Sequence, residues 1–135
     1  MATASPRRVA LPACSAVVLL VESYEDSREM YACYLRLLGF TVLTANTADE
    51  GLIRASEADV VVTGIRVRGS FDGVELVDRL RHEDGTRQKP IIVMTSCAFG
   101  SDRQRAHAAG CTVFLQEPCL PEQLVSEISA VAPTT

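Results

Sequence analysis

Five short runs rich in β-branched residues, Val17 to Val21, Phe40 to Thr44, Val60 to Thr63, Pro90 to Thr95 and Thr112 to Gln116, alternate with longer segments of helical period. Such alternation restricts a chain to an α/β unit, a parallel sheet with helices on both faces, because parallel neighbours need a crossover long enough to hold a helix. The third and fourth runs read as continuous apolar stretches, the pattern of strands buried on both sides. A chain of 135 residues holds one such unit and not two. Its 47% hydrophobic and 22% charged composition supplies a core and excludes a disordered tail. Residues 16 to 131 are read as one (βα)5 domain, residues 1 to 15 as a loosely ordered leader, and residues 132 to 135 as a C-terminal tail.

The helices are marked at their starts. Ser23 with Asp26, Thr47 with Glu50, Asp72 with Glu75 and Ser101 with Gln104 each place a polar N-cap three residues before a carboxylate or amide. Pro121 suits the first turn of the fifth helix, where its missing N–H is not needed. Gly39 and Gly110 follow helical patterns and supply the left-handed residue that ends a helix. On the first helix, Met30, Cys33, Tyr34, Leu37 and Leu38 are predicted to form the core-facing stripe.

A net charge of −4 gives no basic face for nucleic acid or an anionic membrane. There are twelve arginines and a single lysine, Lys89, so any chemistry that needs a lysine must use that one. The five cysteines, Cys14, Cys33, Cys97, Cys111 and Cys119, are odd in number and contain no CxxC pair. That pattern argues against a disulfide framework or a structural zinc site and for a reducing compartment. Arg7 and Arg8 before the apolar stretch from Val9 to Val21 imitate a signal peptide, but Pro12 and Ser15 interrupt it and no small-x-small site follows. Val17 to Val21 is also needed as the first strand, and the stretch falls short of the ~20 apolar residues that span a bilayer. The predicted location is the cytoplasm. His82 and His107 fall within helices and are predicted to lie on the surface.

In an open α/β sheet the ligand site lies beyond the carboxyl ends of the strands, at the switch point between the first and third. The residues there are Glu22 and Ser23, Gly64, Thr95 and Ser96, and Glu117. The segments that carry them form a pattern: VVLLVESYEDSREMY, ADVVVTGIRVRGSFDGVEL, PIIVMTS and AHAAGCTVFLQEP. Together they resemble the first strand and helix, the third strand and its loop, the fourth strand, and the fifth strand with its following proline, of two-component response-regulator receiver domains. The resemblance covers residues 16 to about 131. It implies a flavodoxin-like, doubly wound parallel sheet of order 2-1-3-4-5.

The family phosphorylates itself on an aspartate at the end of the third strand. It is helped by Mg²⁺, an acidic pair after the first strand, a Thr or Ser after the fourth, and a Lys before the proline. Mg²⁺ needs hard carboxylate oxygens, the aspartate is the nucleophile, and the ammonium holds a phosphoryl oxygen. Carried onto this chain, the resemblance puts Glu22 and Ser23 at the acidic pair, Gly64 at the phospho-acceptor position, Thr95 at the hydroxyl and Glu117 at the lysine. Asp59, at the wrong end of the third strand, and Asp72, in the Asp-Gly that the family also carries, do not replace Gly64. The family's switching aromatic in the fifth strand corresponds to Phe114, which has no hydroxyl.

This pattern of losses implies a degenerate receiver, a pseudo-receiver with no catalytic residue, no metal and no cofactor. Its partner is predicted to be another signalling protein, met through the fourth helix, fifth strand and fifth helix, and not nucleic acid or membrane. Two other readings stand beside it: a small-molecule or cofactor binder in the emptied cleft, and a conventional phosphorylated regulator. Three further expectations concern the cleft. Glu22 and Glu117, lying close, should raise the pKa of at least one carboxylate. Arg66 should be the compensating cation. Phe71, in a loop one residue longer than the family pattern, is a candidate plug for the space left at Gly64, the alternatives being packing on the third helix or exposure to a partner. Cys97 and Cys119 follow adjacent strands, and isolated thiols are the commoner outcome there.

Overall fold

The computed structural model describes residues 16–96 and 100–133, so the leader and Cys97 lie outside the described residues. Five parallel strands, β1 (Val17–Val21), β2 (Thr41–Ala45), β3 (Val60–Thr63), β4 (Ile91–Thr95) and β5 (Val113–Gln116), form one sheet of order β2-β1-β3-β4-β5. Between and after them run α1 (Glu25–Leu37), α2 (Ala48–Arg54), α3 (Gly73–Arg81), α4 (Asp102–Ala109) and α5 (Pro121–Val131). This is the flavodoxin-like arrangement. β1 and β3 have the bounds read from the sequence, whereas β2, β4 and β5 each begin one residue later.

Period-two alternation divides the strands between two cores. Val18, Leu20, Val60, Val62, Ile92, Met94 and Leu115 face α1 and α5, where Tyr31, Ala32, Leu35, Leu124 and Ile128 complete one cluster. Leu19, Val21, Val61, Ile91, Val93 and Phe114 face α2, α3 and α4, packing with Ala48, Leu76, Val77, Leu80 and Ala106. Both faces of the central strands are therefore apolar, and polar side chains collect at the strand ends.

Thr47 and Asp72 cap their helices as expected, their side chains accepting from the amides of Glu50 (3.1 Å) and Glu75 (3.0 Å). Gly39 and Gly110 take φ of 101° and 109° past the ends of α1 and α4, and Pro121 opens α5. Two caps differ. The N-cap of α1 is Tyr24, because the Ser23 hydroxyl is engaged elsewhere, and that of α4 is Ser101 without a side-chain bond. The core stripe of α1 is also rotated from the predicted one: Tyr31, Ala32 and Leu35 are buried, Tyr34 and Leu38 flank them, and Met30, Cys33 and Leu37 face outward. No helix of the described residues is long and apolar enough to cross a membrane.

The turn into α3 depends on a missing side chain. The Gly73 amide donates to Ile65 O at 2.9 Å, which presses the start of α3 onto the end of β3. A Cβ at Gly73 would overlap the Gly64 carbonyl and stand 3.1 Å from Ile65 Cα. Gly73→Ala is expected to lose at least ~3 kcal/mol in urea denaturation, the scale of a backbone overlap. Gly85→Ala, where a Cβ meets nothing within 4 Å, should stay within ~0.5 kcal/mol of the parent.

Candidate functional site

Because β1, β3, β4 and β5 are parallel, their carboxyl ends deliver Glu22, Gly64, Thr95 and Glu117 to one edge of the sheet. These four line a single open cleft of about 620 Å³ with Arg66, Ser96, Tyr24, Met30, Tyr31, Met94 and Cys119. Tyr24, Met30, Tyr31, Met94 and Cys119 were not foreseen as site residues. Their signal in the sequence was their place beside strand ends and on the first two turns of α1.

Ser23 is brought to the same edge and turned away from the cleft. Its Oγ donates to Asn46 O at 2.6 Å and accepts from the Arg68 amide at 2.7 Å. One hydroxyl thus ties the loop after β1 to the loops after β2 and β3. Two more bonds hold the same junction: the Ala48 amide to Arg68 O at 2.8 Å, and the Ser70 amide to Asp49 Oδ1 at 2.7 Å. Gly69, at φ 119°, makes room where a Cβ would strike the Asp49 carboxylate. The bonds from Ser70 hold the Asp49 carboxyl below its ordinary range.

The cleft carries two carboxylates. Glu22 Oε2 accepts from the Tyr24 amide at 2.9 Å, and Glu22 Oε1 faces the side of Gly64 on which a Cβ would lie, 3.5 Å away. Glu117, half-buried at the end of β5 before a cis peptide to Pro118, has its pKa pushed up. Burial is the main cause, the Tyr31 hydroxyl offsets part of it, and the charge of Glu22 raises it further. The expected like-charge effect is therefore present but second to desolvation. The Tyr31 hydroxyl, which donates to Cys119 O at 3.3 Å, is itself held above the ordinary tyrosine range by burial and by Cys119.

Arg66 is not the cation that compensates this pair. It lines the cleft, but its guanidinium bonds Asp102 at 2.9 Å, and Asp102, 6% exposed, also holds Arg105 at 3.1 Å. Arg105 continues to Asp72 at 3.3 Å. A buried carboxylate with two arginines outcompetes a partly solvated one for the guanidinium. Among the described residues no ion pair joins Arg66 to Glu22 or Glu117, and no cluster of three His, Cys, Asp or Glu side chains could hold a metal ion. Lys89 sits at the opposite edge, its ammonium on the carbonyls of Ser56 and Ala58.

Phe71 does not plug the cleft. Its ring packs in the α3 side of the core with the Arg79 guanidinium 4.1 Å above it, which is the packing alternative, and the space beside Gly64 stays open. Phe114 is 8% exposed and also lies outside the cleft, covered by Arg103 at 4.6 Å and by the His107 ring at 6.3 Å. His82 and His107 are exposed.

With this geometry established, the response regulator receiver domain model matches residues 18–129. The chain belongs to that family. It is a receiver domain of two-component signalling, a class of module that works on other signalling proteins and not in general as an enzyme. Over 116 residues the receiver is 28% identical to the phosphate regulon transcriptional regulatory protein PhoB of Escherichia coli K12, covering 84% of this chain and 50% of PhoB. It is 31% identical over 113 residues to the probable transcriptional regulator ycf29 of Porphyra purpurea, covering 82% of this chain and 54% of that protein. The chain spans about half the length of these curated relatives. The crystal structure of the chemotaxis response regulator CheY4 of Vibrio cholerae superposes with a TM-score of 0.78 at 28% identity, covering 87% of this chain and 98% of CheY4.

The Ser23 junction is testable in this receiver by urea denaturation. Ser23→Ala loses a donor and an acceptor and should cost ~1–3 kcal/mol. Ser23→Asp should do no better, because a carboxylate can accept from Arg68 but faces the Asn46 carbonyl with no proton to donate. Glu117 gives a pH test of opposite sense. Its folded pKa lies above the unfolded value, so the native state binds the proton more tightly, and stability falls as pH rises through the interval between the two. Glu117→Gln should therefore be more stable than the parent at neutral pH, with the difference vanishing in acid below the ordinary glutamate range.

Proposed function

We propose that this receiver signals without phosphorylation, as a module that binds another signalling protein through α4, β5 and α5. The observation that carries the reading is the end of β3, where the family's phospho-acceptor position falls on Gly64, which has no side chain to phosphorylate. The register leaves no neighbour to take its place. Thr63 pairs with Val21 and Val93 and is buried, while the Gly64 amide donates to Val21 O at 3.1 Å. Asp59 accepts from the Val17 amide at the other end of the sheet, and Asp72 is occupied by the cap of α3 and by Arg105.

The remaining residues do not fit the family's magnesium ion or its phosphoryl group. Mg²⁺ binds through several hard oxygens in near-octahedral geometry, and Glu22 is the one carboxylate left in that acidic pair, already turned onto the Tyr24 amide. Ser23 has spent its hydroxyl on Asn46 and Arg68. At the lysine position Glu117 would repel a phosphoryl oxygen. No residue is assigned a catalytic role.

On the proposed interaction face, Phe114 is clamped beneath Arg103 and His107 of α4 and offers no hydroxyl to pair with Thr95. The face is read as fixed in one state. A binder of a small molecule is the second reading, favoured by the cleft of about 620 Å³ that Phe71 leaves open. Intact-mass measurement after incubation with Mg²⁺ and a small acyl phosphate separates these from a conventional regulator. The mass is expected to stay unchanged, and a phosphoryl adduct overturns the proposal. A Cβ at Gly64 meets its neighbours at ordinary contact distances of 3.5 Å or more, and Gly64→Asp is expected to fold and to stay unlabelled too.

A further inference from the structure

We propose that the cleft at the carboxyl edge of the sheet binds an organic cation, an alkylguanidinium or alkylammonium group, between Glu22 and Glu117. The cavity is about 620 Å³, within the usual range for small-ligand sites. Among the described residues nothing stands closer than 3.5 Å to the position a Cβ would take at Gly64, where the nearest atoms are Glu22 Oε1, Val67 Cγ1 and Met94 O. Glu22 and Glu117 both line this space, and the cations nearby are committed to other groups. Arg66, at the rim, bonds Asp102. Arg28 donates to the main-chain oxygen of Glu22 at 2.9 Å and not to its carboxylate. The only lysine holds carbonyls at the far edge.

The walls select the kind of cation. Tyr24 and Met30, both exposed, and Tyr31 and Met94, 4% and 2% exposed, line the same space, so a ligand between the carboxylates also meets aromatic and thioether surface. Such walls suit a weakly hydrated guanidinium or ammonium on an alkyl stem. A compact divalent ion would have to shed its water for two carboxylates and apolar surface. The cavity and its charges carry this, whatever partner the α4–β5–α5 face meets. The cation can come from a free small molecule or from an arginine or lysine side chain of a protein.

The test is a titration of the full chain, followed by backbone amide shifts, with n-butylguanidinium, with butyrate and n-butanol as controls, and with Mg²⁺ alone. Butylguanidinium is expected to give saturable shifts at Gly64 and Glu117 that neither control produces. Glu117→Gln should weaken its binding about tenfold, the loss of a charge-assisted hydrogen bond. Glu117→Lys should abolish it, and Glu57→Gln, at the opposite edge, should leave it unchanged. Well-dispersed spectra of each variant separate a lost site from a lost fold. A peptide with an internal arginine that binds at least tenfold tighter than butylguanidinium assigns the cation to a protein partner, and equal or weaker binding assigns it to a free small molecule. The proposal is overturned if butylguanidinium gives no saturable shift, if Glu117→Gln binds as well as the parent, if butyrate does the same, or if Mg²⁺ binds more tightly.

Discussion

A parallel sheet covered on both faces leaves its polar chemistry only the strand ends, and that constraint governs the rest of this molecule. Val18 to Val21, Val60 to Val62 and Ile91 to Met94 are at most 2% exposed, so nothing ionisable can sit between the ends without a buried-charge penalty. The crossovers run the same way, so all the carboxyl ends meet on one edge. What the chain can bind or do at that edge is therefore decided by a handful of residues at or just after the strand ends. Here they are a glycine, two glutamates, two serines and a threonine that belongs to the strand itself. At the opposite edge Asp59, Arg81 and Lys89 spend their groups on main-chain amides and carbonyls.

Ser23 shows how a site residue can become a structural one. A hydroxyl both donates and accepts, and the junction of three loops uses both capacities, toward Asn46 O and from the Arg68 amide. An acidic residue supplies acceptors only. The loop after β3 is thus held by Ser23 and by Asp49. The ion-pair chain Arg66, Asp102, Arg105, Asp72 fastens the start of α4 to the same loop. One of these braces, Asp49, has its carboxyl held below the ordinary range by the bonds from Ser70.

Much of this was legible in the residues. Strand runs and two of the four polar caps follow from patterns local to a few positions, and β-branched runs, Thr47 and Asp72 behaved accordingly; the strand order came with the family resemblance. The failures share a cause. Ser23 has the sequence of an N-cap, but tertiary partners outbid the helix for its hydroxyl. In α1, apolar residues fall at positions 30 to 35, 37 and 38, nearly all round the helix, so periodicity could not choose between the stripe through Met30 and the one through Tyr31. Arg66 and Phe71 were assigned by nearness in the chain to the emptied pocket. Their partners, Asp102 and Arg79, belong to other elements, and Asp102 wins the guanidinium because it is buried. Local pattern places a residue at the edge; which neighbour it takes is settled by competition across the fold.

Glu117 turns this into an argument about function. A half-buried carboxylate with a raised pKa and a second carboxylate close by opposes folding at neutral pH, and a neutral glutamine of the same shape would remove the opposition. Among the described residues no ion pair holds the charge. The Tyr31 hydroxyl, its one moderating neighbour, also has a carbonyl to bond, that of Cys119, so the glutamate is not there to satisfy the tyrosine. Residues that work against stability without a structural return are the mark of a binding site, where the unfavourable field is relieved by the ligand. The relief available here has a definite sign. An edge built around an ammonium attracts phosphoryl oxygens, whereas one built around Glu22 and Glu117 repels them and draws in positive charge. On the proposed reading, a glutamate at the end of β5 and a glycine at the end of β3 would turn the field of this edge from one that attracts anions to one that attracts cations, with no change in the strand order.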